Sequence, residues 1–216
     1  MTLHVINPNS NLLVTEGIDA AMAPLRGMGI EITCHTLAEG PQGIESQRDA
    51  DFVITPLCGL VERLEPSASG FVVACFSDPG LHAVRQTSAK PVMGIMESGL
   101  LTAMTLGQRI GVIAILPGSI PRHMRVIGGM GIGARICGER ALGLTVAELG
   151  DADTTARKMA DTGQALRDRD GADVLVMGCA GMAQYRDMLE EETGLPVVEP
   201  CQAAAAMCIG QIMLGR

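Results

Sequence analysis

Phe71-Val72-Val73-Ala74-Cys75-Phe76-Ser77-Asp78-Pro79-Gly80 has a counterpart later in the chain, Val174-Leu175-Val176-Met177-Gly178-Cys179-Ala180-Gly181. Each is a short apolar run that ends at a cysteine and passes into glycine- or proline-containing chain. A brief continuous apolar run bounded by turn residues reads as a strand buried on both faces, as in parallel sheets. Each motif is followed by a Pro-Val pair that opens another such run, at Pro91-Val92 and Pro196-Val197. The same element is met twice.

Outward from these landmarks the duplication continues. Ile6-Asn7-Pro8-Asn9-Ser10 matches Ile115-Leu116-Pro117-Gly118-Ser119, and Gly27-Met28-Gly29-Ile30 matches Gly129-Met130-Gly131-Ile132. Between them strands alternate with helices. In the first half strands are expected over 3–6, 30–37, 71–74 and 92–95. Helices are expected from a cap at Asn9 or Ser10 to about Leu25, over 44–64 with a break near Pro56, over 81–86 and over 98–106. In the second half strands are expected over 109–115, 132–137, 174–177 and 197–198. Helices are expected from a Ser119 cap toward Gly128, then over 153–169, 182–192 and 203–214. This order implies an α/β protein of two similar lobes, each a mostly parallel sheet flanked by helices. A pseudo-two-fold axis relates the lobes, and the active site lies in the cleft between them. The lobes are expected at 1–97, completed by a C-terminal helix at 200–216, and at 98–199. Ligands in open α/β sheets bind beyond the carboxyl ends of strands, where both cysteines fall.

Composition narrows the function. The 216 residues are 47% hydrophobic, enough for a substantial core, and carry a net charge of −8, which disfavours nucleic acid and anionic membrane surfaces. With no Trp, one Tyr and three Phe, there is no platform for stacking bases. No apolar run suits a bilayer span and no basic leader precedes the first strand, so a cytoplasmic protein is expected. The seven cysteines lack zinc spacing, and free thiols are expected. The two lysines, Lys90 and Lys158, sit in settings unlike a Schiff-base lysine. No nucleotide-binding glycine loop is present. No cofactor and no metal is expected; the partner is a small-molecule substrate. Met-rich helices would suit either a core or the interface of a homo-oligomer.

Chemistry concentrates on Cys75 and Cys179. A thiol just past a strand, at the start of a helix, meets unpaired amides and the positive end of the helix dipole, so a lowered pKa is expected. One thiol on each lobe puts an acid/base group on either face of a substrate, as inversion of a carbon stereocentre requires. Cys34, Cys58, Cys137, Cys201 and Cys208 lie in strand or helix bodies and read as core residues. Asn7, at the end of the first strand, could hold a carbonyl or carboxylate, whereas Asn9 and Ser10 read equally well as helix caps. Asp78 reads as closing its own turn, and His82 as a surface residue.

At these residues the chain resembles the aspartate/glutamate/hydantoin racemase superfamily. The segments that carry the resemblance are Ile6-Asn7-Pro8-Asn9-Ser10, Gly40-Pro41 with Gly43-Ile44-Glu45-Ser46, Ala74 to Leu81, and Gly178-Cys179-Ala180-Gly181-Met182. The wording is most similar to the hydantoin and allantoin racemase branch. The resemblance implies a cofactor-independent two-base mechanism with Cys75 and Cys179 as the acid/base pair. It also implies that Asn7 and the main chain of Phe76, Ser77, Ala180 and Gly181 hold the substrate's carbonyl groups. The branch usually has a threonine-rich strand end where this chain has Ala114-Ile115-Leu116, and Val198-Glu199-Pro200 is closer to the amino-acid racemases. Two other readings stay open. One is an amino-acid racemase or diacid isomerase, disfavoured because no arginine adjoins either cysteine motif. The other is a two-lobed binding protein without chemistry.

Overall fold

The computed structural model describes residues 1–215. Four strands form the first sheet: β1 (Thr2–Asn7), β2 (Glu31–Thr36), β3 (Ala68–Val73) and β4 (Val92–Gly94), in the order β2-β1-β3-β4. The second sheet repeats that order with β5 (Ile110–Ala114), β6 (Ile136–Ala141), β7 (Val174–Met177) and β8 (Val197–Val198), as β6-β5-β7-β8. Every strand pair is parallel. The duplication in the sequence is thus a duplication of topology. The central strands are apolar without alternation because helices cover both faces of each sheet: Phe71, Val72 and Val73 in β3, and Ile110, Val112 and Ile113 in β5, are fully buried.

The helices are α1 (Leu12–Ala21), α2 (Gln47–Phe52), α3 (Ile54–Leu64), α4 (Leu81–Thr87), α5 (Ile95–Leu106), α6 (Ile120–Met130), α7 (Ala152–Asp170), α8 (Arg186–Thr193) and α9 (Pro200–Met213). No helix among the described residues is long and apolar enough to cross a membrane. One hydrophobic cluster runs through both lobes, joining Leu3 and Val5 of β1 to Val112 of β5 and Val176 of β7. A second, under α3 and α4, holds Ile6, Leu57, Val61, Phe71, Val73 and Val84. Alternate residues of β1 therefore feed different clusters.

After β8 the chain returns to the first sheet through α9, whose N-cap Glu199 accepts the amides of Cys201 and Gln202. The Cys208 thiol reaches the carbonyls of Phe71 and Pro91 at 3.8 and 3.7 Å. Gly70 makes room, since a Cβ there would lie 2.6 Å from that sulfur. The expected helix end at 216 lies outside the described residues.

Four local expectations need correction. The side chain that caps α1 is Asn11, bonding the Leu13 amide, rather than Asn9 or Ser10. The helix expected over 44–64 begins at Gln47, where Ser46 and Asp49 form a capping box, and divides at Val53. Helix α5 starts at Ile95 instead of Ser98 because a residue distant in sequence caps it: the Asp78 carboxylate accepts the amides of Met96 and Glu97 at 2.9 and 2.8 Å. The strand expected over 132–137 lies instead at Ile136–Ala141, after Gly131 ends α6 at φ 72 and a 3-10 turn follows. Its charged centre, Glu139-Arg140, conceals it from a hydrophobicity reading. Both charges find tertiary partners, His123 for Glu139 and Asp170 for Arg140.

Candidate active site

The residue ahead of each cysteine makes the same contact. The amide of Ala74 donates to the carbonyl of Ile6 at 2.8 Å, and the amide of Gly178 donates to that of Ile113 at 2.8 Å. Each bond carries the parallel ladder one step beyond the strand and brings the next residue over the carboxyl end of the neighbouring strand. Position 178 requires glycine, because a Cβ would lie 2.5 Å from the Ile113 carbonyl oxygen. Cys75 and Cys179 consequently line one cleft between the lobes, together with Phe76, Ser77 and Ala180. The cavity there is small, about 30 Å³.

Beyond the cysteines the halves differ. The Cys75 carbonyl accepts the amides of Ser77 and Asp78 at 2.8 and 2.9 Å, closing a tight turn with Asp78 at φ 45 and Gly80 at φ 65. Helix α4 starts only at Leu81. After Cys179 the chain makes a 3-10 helix, Ala180–Tyr185. Neither cysteine stands at the N-terminus of an α-helix, and the expected lowering of thiol pKa does not occur. Burial pushes the Cys75 thiol up to about 12; the neighbouring Cys179 adds to the rise, the Ser77 hydroxyl opposes it, Asp78 adds slightly and the Arg122 guanidinium opposes it. Burial also pushes Cys179 up to about 11, against a hydrogen bond from the Gly181 amide and with small additions from Glu45 and Glu199. At neutral pH both thiols rest protonated.

The other anticipated residues divide. Asn7 does not line the cleft. Its side-chain amide donates to Asn9 Oδ1 at 3.0 Å, to the Asn11 carbonyl at 3.2 Å and to Thr15 Oγ1 at 3.0 Å, while its Oδ1 accepts the Asn9 amide at 3.1 Å. Asn7 therefore organises the turn that presents Asn9, which does face the cleft. The Ser77 amide is taken up by the Cys75 carbonyl, but its hydroxyl lies 3.9 Å from the Cys75 sulfur. The amides of Phe76 and Ala180, each directly after a cysteine, make no hydrogen bond among the described residues. Gly181 contributes through its amide to the Cys179 sulfur. His82 is exposed on α4.

Sequence reasoning passed over the wall built by the start of α6. Ser119, Arg122 and His123 all line the cleft and are all buried. Ser119 occupies the N-cap position without capping; its hydroxyl accepts Arg122 Nη2 at 3.2 Å. His123 Nδ1 bonds Glu139 Oε1 at 2.5 Å, both side chains being 2% exposed, and the ring meets Phe76 edge-on at 5.2 Å. No arginine adjoins the cysteine motifs in sequence, but Arg122 reaches the cleft from another element. The clue was available, since the repeat equates Ser119 with Ser10 and so places the turn after β5 opposite the turn after β1.

Comparison with known proteins agrees with this architecture. A family model described as Asp/Glu/Hydantoin racemase matches residues 3–208. The chain is 32% identical to a hydantoin racemase from Pseudomonas sp. (strain NS671), over 100% of this chain and 88% of that one. It is 31% identical to a hydantoin racemase from Rhizobium meliloti, over 96% of this chain and 87% of the relative. Among solved structures, an allantoin racemase from Klebsiella pneumoniae superposes with a TM-score of 0.95 at 29% identity, covering 100% of this chain and 89% of the other.

Proposed function

The chain belongs to the Asp/Glu/hydantoin racemase family, and from that premise we propose that it is a racemase of a hydantoin-like cyclic ureide, a 5-substituted hydantoin or allantoin, working without a cofactor. The observation that carries this reading is the placement of Cys75 and Cys179 at equivalent ends of β3 and β7 on opposite lobes, lining one cleft. The names of the relatives supply the substrate class.

In this mechanism one sulfur, as thiolate, takes the proton from the stereogenic carbon. The C–H electron pair moves into the adjacent carbonyl to give an enolate, and an S–H bond forms. The opposite thiol then gives its proton to the other face, restoring the C–H bond and leaving its own sulfur as thiolate. The unbonded amides of Phe76 and Ala180 suit an enolate oxygen. Asn9 replaces Asn7 as the side-chain donor from the first lobe. Because both thiols rest protonated, the reactive thiolate is a minor species, favoured at Cys75 by the Arg122 guanidinium and the Ser77 hydroxyl.

The lobes on this reading are 1–97, completed by the C-terminal helix, and 98–199. The protein works in the cytoplasm as a homo-oligomer, which light scattering on the purified chain checks. The decisive experiment is polarimetry with hydantoins, allantoin, aspartate and glutamate, repeated with Cys75→Ser and Cys179→Ser. Loss of a positioned proton-transfer group costs about 10²–10⁴-fold. Each variant should still exchange the stereogenic proton of one enantiomer with solvent deuterium. Undiminished racemisation by either variant excludes the two-thiol mechanism.

A further inference from the structure

We propose that the cleft selects a substrate carrying a carboxylate, and that Arg122 is the residue that binds it. This rests on the ring-racemase reading and adds the charge of the substrate to it. Arg122 is only 7% exposed and lines the cleft with both thiols. A buried charge is ordinarily paired with an opposite one, because removing it from water is costly. Arg122 has no carboxylate within salt-bridge distance among the described residues. Its bonds go to neutral oxygens: Nη1 to the carbonyls of Glu45 and Gly118 at 3.0 and 3.1 Å, and Nη2 to the Ser119 hydroxyl.

A guanidinium has five N–H groups. Three are used here, which leaves one on Nη2 and the Nε–H, and Nε is buried without any partner. Asp49 offsets the charge at a distance without bonding it, which leaves both donors free for a ligand. Two neighbouring guanidinium N–H groups match a carboxylate with two parallel bonds.

The surroundings favour the same ligand. Arg122 is the third residue of α6, so the positive end of that helix adds to its charge. His123, the other basic group of the wall, is already matched by Glu139. The opposite strand end, Ala114-Ile115-Leu116, offers no side-chain donor, and among the lining residues Asn9 and Ser77 on the first lobe are neutral. The charged side-chain donor of the lining that lacks an acidic hydrogen-bond partner is Arg122.

The test uses two compounds of nearly the same shape, the hydantoin of glutamate and the hydantoin of glutamine, which differ in a carboxylate against a carboxamide. The wild-type enzyme should favour the carboxylate by at least about ten-fold in kcat/KM, mostly through KM, as a charged hydrogen bond implies. Arg122→Gln should bring that ratio toward one, and Arg122→Lys should keep part of it. Equal kcat/KM for both compounds in the wild type overturns the proposal. So does an Arg122→Gln loss of the same factor for both, which marks a strut. Should neither compound be racemised, the ring reading fails while the anion site remains testable. Glutarate should then protect the two thiols from iodoacetamide better than glutaramide does, and equal protection overturns the carboxylate site as well.

Discussion

Arg122 Nη1 donates to the main-chain carbonyl of Glu45 at 3.0 Å, joining the second lobe to the first across the mouth of the cleft. The Glu45 carboxylate closes the same seam by accepting the Val146 amide at 3.0 Å, and Arg125 reaches the Gln47 side chain beside it. These bonds tie the two lobes together beside the cleft. Glu45→Ala deletes the carboxylate but leaves the carbonyl that Arg122 uses. Hydrogen exchange at Val146 and its neighbours should accelerate, with the turn after Cys75 unchanged. Unaltered exchange at Val146 would show that other contacts hold the seam.

The raised thiol pKa values set the pH dependence. With Cys75 near about 12 and Cys179 near about 11, the thiolate fraction grows ten-fold for each pH unit below those values. The logarithm of kcat/KM should therefore climb with a slope close to one from about pH 7 to beyond about pH 9. Stability should move the other way. Both folded-state values lie above the ordinary thiol value of 9.0, so the native protein keeps protons that the unfolded chain releases. The stability contributed by the protonated thiols is present below pH 9 and is lost as pH rises toward 11–12. Rate profiles and urea unfolding at matched pH check both slopes, and a rate plateau below about pH 8 would mean a thiolate at rest.

Gly178→Ala should abolish most activity. The new Cβ would meet the Ile113 carbonyl oxygen at 2.5 Å, a main-chain atom that cannot rotate away. Relief requires moving the strand end that carries Cys179. Overpacking of this kind costs about 1–3 kcal/mol in stability, and a misplacement of about 1 Å at a reacting group can cost about 10²-fold in rate. Gly118→Ala, with open space around its Cβ, serves as the control. Equal activity in the two variants would refute the geometric role of Gly178.

The His123–Glu139 pair offers a test of burial. Glu139→Val strands a buried imidazole without its hydrogen-bond partner, and a buried polar group left unsatisfied costs about 1–3 kcal/mol. Adding His123→Leu removes the orphan and should recover most of the loss in thermal unfolding. If the double variant is no more stable than the single one, the pair is held by packing and not by its hydrogen bond.

Much of this molecule is legible in the sequence because its fold is written twice. The apolar runs ending at Cys75 and Cys179, and their Pro-Val successors, determine two parallel sheets of the same order and place both thiols past equivalent strand ends. Local pattern suffices there, since a strand buried on both faces must be apolar throughout. It does not suffice for β6, where Glu139 and Arg140 look like loop residues until His123 and Asp170 bond them across the fold. Nor does it suffice for α5, whose start is fixed by Asp78 on another segment. The same limit governs the site. The sequence picked out two cysteines past equivalent strand ends. Only the tertiary structure decided that burial raises both thiols, that Asn9 and not Asn7 faces the cleft, and that Arg122 lines it. Those outcomes depend on desolvation and on charges brought together from distant segments, quantities that no stretch of chain contains by itself.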